Sequence, residues 1–145
     1  MIGKTLSLAA ARLVLQAQPF SVLLGAELVA FSAECTELRV PLRDELKQQH
    51  GFVHGGVISY AADNALTFAG GAALGPAVVT SEFKINYLRP LRGAVLVARA
   101  SVVHAGRRQA VCRCEILGVE DGGETLCAIA QGTISLIAGP TTPEA

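Results

Sequence analysis

The sequence predicts an α+β fold, an antiparallel sheet wrapped around one long apolar helix. Three observations lead there. Residues 55–75 form an apolar run, and from Gly55 to Val79 the sole formal charge is Asp63. That run is too long for a strand and reads as a helix buried on most sides. Segments 78–88, 94–104, 109–119 and 124–137 read as consecutive strands. Strand runs beside one segregated helix are the α+β pattern, and wrapping the sheet around the helix buries both apolar surfaces.

The N-terminal segment comes first. Leu6, Ala9, Ala10, Leu13, Val14 and Ala17 fit an amphipathic helical stripe, and Pro19 breaks it. Arg12 interrupts the apolar part and no cleavage site follows, so a signal peptide is not expected. Residues 22–31 read as a first strand. Residues 33–42 alternate, with Thr36, Leu38, Val40 and Leu42 on one face and Glu37 and Arg39 on the other. A polar loop over 43–54 leads into the central helix, whose roughly 18 residues would span about 27 Å. Beyond Gly75-Pro76, Phe83, Ile85 and Tyr87 alternate with Glu82, Lys84 and Asn86, until Arg89-Pro90 ends the strand. Ala105-Gly106-Arg107-Arg108 is a turn, and Glu120-Asp121-Gly122-Gly123 is a hairpin signal. The reading divides the chain into an N-terminal helix (1–20), one domain (21–138) and a flexible tail (139–145).

Composition narrows the function. The 145 residues carry no net charge, which argues against a nucleic-acid partner. The apolar run contains Asp63, Asn64, Thr67 and several glycines, so it does not read as a membrane span. Hydrophobic residues make up 51%, an excess best buried between subunits. Cys35, Cys112, Cys114 and Cys127 lack paired zinc spacing and read as reduced, buried, structural thiols of a cytoplasmic protein. Cys112 and Cys114, two apart, share a strand face.

Chemistry concentrates at the start of the long helix. Gly55 and Gly56 allow close backbone approach. Their N–H groups precede any intrahelical acceptor, and with the helix dipole they suit a developing oxyanion. Asp63 lies about two turns along, and a carboxylate in an apolar helix costs several kcal/mol unless partnered. Thr67, four residues on, shares its face.

Gln48, Gly51, His54-Gly55-Gly56 and Asp63, with the later TSEFKINYLRP at Thr80–Pro90, resemble the signature of the hotdog-fold thioesterases of the phenylacetate-pathway type. The likeness covers roughly residues 20–137. Family members carry Asn or Gln at the position of Gln48 and Asp or Glu at that of Asp63, so the subgroup and the acyl group stay open. The resemblance implies the hotdog fold and hydrolysis of an acyl-coenzyme A to a carboxylic acid and free thiol. It makes Asp63 the nucleophile or the general base on water, and the Gly55 N–H the carbonyl polariser. Gln48 would orient substrate or water. His54 would place the loop or meet the leaving sulfur. Thr67 would position water or the carboxylate. A hydroxyl, Thr80 or Ser81, is expected near the site. Arg89, Arg92, Arg107 and Arg108 are candidates for the coenzyme A phosphates.

No metal is expected, because His50 and His54 lack a third ligand. No cofactor is expected either, since coenzyme A belongs to the substrate. The resemblance places each site at a subunit boundary, and exposed sheet edges point the same way, to a homodimer and a homotetramer of two dimers. Two other readings use the same residues: a hydratase or dehydratase pairing His54 with Asp63, and a non-catalytic acyl-coenzyme A-binding domain.

Overall fold

The computed structural model describes residues 6–137. Its elements are α1 (Leu8–Gln16), α2 (Pro19–Leu24), β1 (Glu27–Ala30), β2 (Thr36–Pro41), a 3₁₀ turn (Asp44–Leu46), α3 (Gly55–Leu74), β3 (Val78–Tyr87), β4 (Val95–Ala105), β5 (Gln109–Glu120) and β6 (Gly123–Leu136). The six strands form one antiparallel sheet in the order β1-β2-β4-β5-β6-β3. The sheet wraps around α3, the arrangement expected from the sequence. Placing β3 beside β6 carries the chain across the whole sheet and makes β3 an edge strand.

The core lies between α3 and the inner sheet face. Ala61, Ala62, Ala65, Leu66 and Ala69 of α3 are fully buried, and so are Leu38, Val40, Leu96, Ile116 and Ile134 of the strands. Alanine dominates the helix face because the sheet comes close. At Gly70 a Cβ would stand 2.6 Å from Ile134 Cβ, so the contact tolerates hydrogen alone. Cys112 and Cys114 do share the inner face of β5, both buried. The β5–β6 hairpin turns through Asp121 (φ 50°) and Gly122 (φ 77°), the left-handed pair of a type I′ turn.

The N-terminal region corrects the sequence reading twice. Residues 22–31 are not one strand, because Pro19–Leu24 form a second helix. Pro19 occupies its first turn, where its fixed φ and missing N–H cost nothing. Gly25 (φ 73°) closes it, and Arg43 Nη2 donates to Leu23 O at 2.7 Å. The stripe on α1 is also rotated. Leu8, Ala11 and Leu15 face the core, whereas Leu13 is 67% exposed and Val14 is exposed too. Arg12 sets the rotation by donating from Nε to Leu28 O at 2.8 Å, which pins α1 to β1. Cys35 is exposed, so it is not the buried thiol expected. The tail at 139–145 lies outside the described residues. Among those residues, no helix is long and apolar enough to cross a membrane.

The outer sheet face carries an ion network. Glu37 accepts from Arg99 Nε at 2.6 Å and from Arg39 Nε at 2.8 Å, and Arg99 also reaches Glu124. Burial acts to raise the Glu37 carboxyl, but hydrogen bonds and charge from Arg99 and Arg39 outweigh it and hold the group below the usual carboxylate range.

Candidate active site

Two polar centres lie on α3. The first is its N-terminus. The preceding loop is fixed by Val53 N donating to Leu91 O at 3.0 Å and His54 N donating to Leu46 O at 2.9 Å. His54 is the N-cap, and its Nδ1 accepts from Gly56 N at 2.8 Å. The neutral ring therefore carries its proton on Nε2, the nitrogen left free. A Cβ at Gly56 would approach His54 Nδ1 to 2.9 Å, so the cap needs glycine there. Because the cap consumes the Gly56 N–H, Gly55 is left as the free donor: among the described residues, nothing in the chain accepts from it. The helix dipole adds positive character at that point. Gln48, half-buried, accepts at Oε1 from His50 N and braces the 48–51 turn.

Tyr87, at the end of β3, covers this turn. Its hydroxyl donates to Gly55 O at 3.1 Å and meets Ser59 Oγ at 2.5 Å. The sequence placed Tyr87 only on one face of its strand, with Phe83 and Ile85, and gave no sign of Ser59.

The second centre is Asp63, half-buried in the middle of α3. Thr80 Oγ1 donates to Asp63 Oδ1 at 2.6 Å. Thr67 Oγ1 lies 2.8 Å from Thr80 Oγ1 and donates to Asp63 O at 2.8 Å. Among the described residues, no donor reaches Asp63 Oδ2. One oxygen is thus held and the other is presented.

A bulge decides between Thr80 and Ser81. Phe83, Ile85 and Tyr87 face the helix side of β3, so strict alternation would bring Ser81 in beside them. The β3–β6 register shifts between Thr80 and Glu82. This turns Thr80 inward and leaves Ser81 outside, against Ser135 Oγ.

The arginines divide by location. Arg89 and Arg92 leave β3 at the Gly55 end; Arg89 Nη1 donates to Leu126 O at 3.2 Å, and Arg92 stacks 4.4 Å above the Phe52 ring. Arg107 and Arg108 lie in the β4–β5 turn at the other end of β3, where Leu136, the partner of Val78, donates to Arg108 O at 2.8 Å. Among the described residues, no group of three or more His, Cys, Asp or Glu side chains converges as a metal site would require.

Gly55 and Asp63 are eight residues apart on one helix, about 12 Å along its axis. One carbonyl cannot touch both groups of the same chain. A donor without an acceptor and a carboxylate oxygen without a donor are the two kinds of group that acyl transfer uses.

The family profile described as "Thioesterase superfamily" matches residues 50–125. A thioesterase family protein from Silicibacter pomeroyi superposes with a TM-score of 0.86 at 32% identity, covering 92% of this chain and 100% of that one. A thioesterase from Haemophilus influenzae superposes with a TM-score of 0.82 at 29% identity, covering 97% of each chain. The acyl-coenzyme A thioesterase PaaI of Escherichia coli is 28% identical over 123 residues, 84% of this chain and 85% of that protein.

Proposed function

We propose a reaction on the premise that this chain belongs to the thioesterase superfamily. The reaction is hydrolysis of an acyl-coenzyme A to the carboxylate and free coenzyme A. Asp63 carries this reading, with Oδ1 held by Thr80 and Oδ2 free.

The substrate carbonyl oxygen takes the Gly55 N–H, so negative charge developing on it meets a fixed donor and the helix dipole. Two routes follow. In one, Asp63 Oδ2 bonds to the carbonyl carbon, the C–S bond breaks, and water hydrolyses the mixed anhydride. In the other, Asp63 takes a proton from water as the water oxygen bonds to carbon, and collapse of the adduct expels the thiolate. In both routes one proton of the water ends on the thiolate sulfur and the other goes to solvent, leaving a thiol and a carboxylate. Gln48, at the loop, orients the water or the substrate, and the free His54 Nε2–H faces the leaving group.

The site is shared between two copies. The 12 Å separation along α3 supports this, as does the open edge of β3. Tyr87 marks the Gly55 end of β3 and Thr80 marks the Asp63 end. Antiparallel pairing of two β3 edges about a two-fold axis near Phe83-Lys84 brings Gly55 of the partner subunit toward Asp63. The same pairing brings the Arg107–Arg108 turn toward Arg89 of the partner subunit, a cationic cluster suited to phosphates. We place this dimer, and a tetramer of two such dimers, in the cytoplasm.

Incubation with a panel of acyl-coenzyme A substrates and a thiol-trapping dye tests the reaction. Thiol release that is lost in Asp63→Asn is expected. Gain or loss of enoyl absorbance without thiol release would assign the chain to hydration instead.

A further inference from the structure

The peptide group that joins Gly55 to Gly56 is held at both ends by side chains. Its N–H, from Gly56, donates to His54 Nδ1 at 2.8 Å. Its carbonyl, Gly55 O, accepts from Tyr87 Oη at 3.1 Å. Ser59 Oγ lies 2.5 Å from the same hydroxyl. Tyr87 has one hydroxyl proton and gives it to Gly55 O, so Ser59 donates to Tyr87. The two hydroxyls form a chain that ends on the glycine carbonyl, each bond strengthening the next. The peptide before it is fixed too. Its carbonyl, His54 O, accepts from Val57 N at 2.9 Å, and its N–H is the Gly55 donor.

Two adjacent glycines in the first turn of a helix need this fixing. Glycine has the widest backbone freedom of any residue, and the first turn lacks the intrahelical bonds that restrain later ones. Held by His54 alone, the Gly55–Gly56 peptide would be free to pivot about its N–H. Tyr87 removes the pivot from outside the helix. It ends β3, paired with Ala128 of β6. Just beyond it, Leu88 N and Arg89 N donate to Cys127 O at 2.8 and 3.1 Å, so the strand end that carries the phenol is anchored in the sheet. The side chain also lies against the turn, since a Cβ at Gly55 would stand 3.5 Å from Tyr87 Oη. The same strand holds Asp63 through Thr80. Thr80 and Tyr87 are seven apart, and strict alternation would put them on opposite faces. The register shift between Thr80 and Glu82 turns both toward the helix, so β3 braces both polar centres of α3.

We infer that Tyr87, with Ser59 behind it, is a positioning residue that holds the glycine turn in the orientation presenting the Gly55 N–H to the substrate carbonyl. This inference rests on the thioesterase reading proposed above. A donor stabilises developing charge best when its direction is set before the reaction. Tyr87 acts through Gly55 and touches no reacting atom. Its hydroxyl carries the role, and Ser59 keeps that hydroxyl aimed.

The experiment measures thiol release from benzoyl-, hexanoyl- and decanoyl-coenzyme A by the wild-type protein, Tyr87→Phe, Ser59→Ala, Gly55→Pro and the double variant Tyr87→Phe/Gly55→Pro. Tyr87→Phe should lower kcat about 10-fold with KM within about 2-fold, the scale of one lost orienting hydrogen bond. Ser59→Ala should lower kcat in the same way by about 2- to 3-fold. Gly55→Pro removes the donor but keeps the carbonyl of residue 55 that Tyr87 binds. In that background Tyr87→Phe should cost less than about 2-fold more, because groups that act as a unit are not additive. Tyr87 is 52% exposed, so losing its hydroxyl leaves the core intact, and circular dichroism checks this. Ser59→Ala, on another element, keeps the test open should Tyr87→Phe fold poorly. Unchanged kcat in either folded variant, a loss carried by KM, or the full loss repeated in Gly55→Pro would overturn the inference and leave the thioesterase reading intact. Absence of thiol release by the wild-type protein from every substrate would overturn both.

Discussion

Thr80 Oγ1 donates a 2.6 Å hydrogen bond to Asp63 Oδ1, joining the third strand to the middle of the central helix. The bond fixes which carboxylate oxygen is free. Thr80→Val keeps the shape and removes the donor. We expect kcat to fall about 10-fold with little change in KM, since losing one orienting hydrogen bond is worth about 1–1.5 kcal/mol. Ser81→Ala, on the other face, should leave both constants within about 2-fold. Steady-state kinetics of the pair check this assignment, and equal losses would contradict it.

Asp63→Asn preserves the hydrogen-bonding geometry but removes the proposed nucleophile or base. The expected loss in kcat is about 10²-fold or more. KM should move less, because in the proposed reaction Asp63 meets the reacting carbon rather than the coenzyme A. A variant retaining most of its rate on a good substrate would show that another group does the chemistry.

Gly55→Pro tests the backbone donor. His54 has φ −60° and ψ 135°, the extended conformation that proline requires of the residue before it. Residue 55 begins α3, where proline is well tolerated. A Cβ there would meet Tyr87 Oη at 3.5 Å, an ordinary contact. The variant should therefore fold by circular dichroism while hydrolysis falls about 10²- to 10³-fold. Full activity in a folded Gly55→Pro protein would exclude the donor.

Glu37 contributes to the acid limb of stability. Its folded carboxyl lies below the ordinary value of 4.5. Its stabilisation is therefore present above that value and is lost as pH falls through the lower folded value. Glu37→Gln should cost about 1–2 kcal/mol at neutral pH, discounted because both arginines are partly solvated. The gap from wild type should close in denaturant titrations as pH falls below the ordinary carboxylate range.

Thiol labelling checks the placement of the cysteines. Burial pushes Cys112 up to about 11 and Cys114 up to about 12. Cys35 alone is exposed. One thiol should react rapidly in the native protein, and Cys35→Ser should abolish that phase. The remaining three should label as the protein unfolds.

Much of this was legible in the sequence. The length and apolarity of 55–75 announced α3, and the alternation of Thr36, Leu38 and Val40 announced the inner face of β2. Asp-Gly at 121–122 announced the last hairpin. The misses have definite causes. Val22-Leu23-Leu24 read as strand because they are apolar, but the start and stop residues around them, Pro19 and Gly25, specify a helical turn. The face of α1 was set by Arg12 bonding to a carbonyl of β1, a tertiary contact that periodicity does not contain. At the candidate site, spacing singled out Gly55 and Asp63. The choice of Thr80 over Ser81 depended on a bulge, which shifts every later side chain by one position. Tyr87 and Gly55 meet through packing of the end of β3 on α3, across 32 residues of sequence.

The central claim is that Gly55 of one chain and Asp63 of another act on the same thioester. It is tested most directly by mixing Gly55→Pro with Asp63→Asn, each inactive alone, after subunit exchange demonstrated by light scattering on tagged chains. Random pairing makes about half of the dimers mixed, each with one intact site of two, so activity should recover to about a quarter of wild type per subunit. Proven exchange without recovery would contradict the shared site and place both groups of a working centre on one chain.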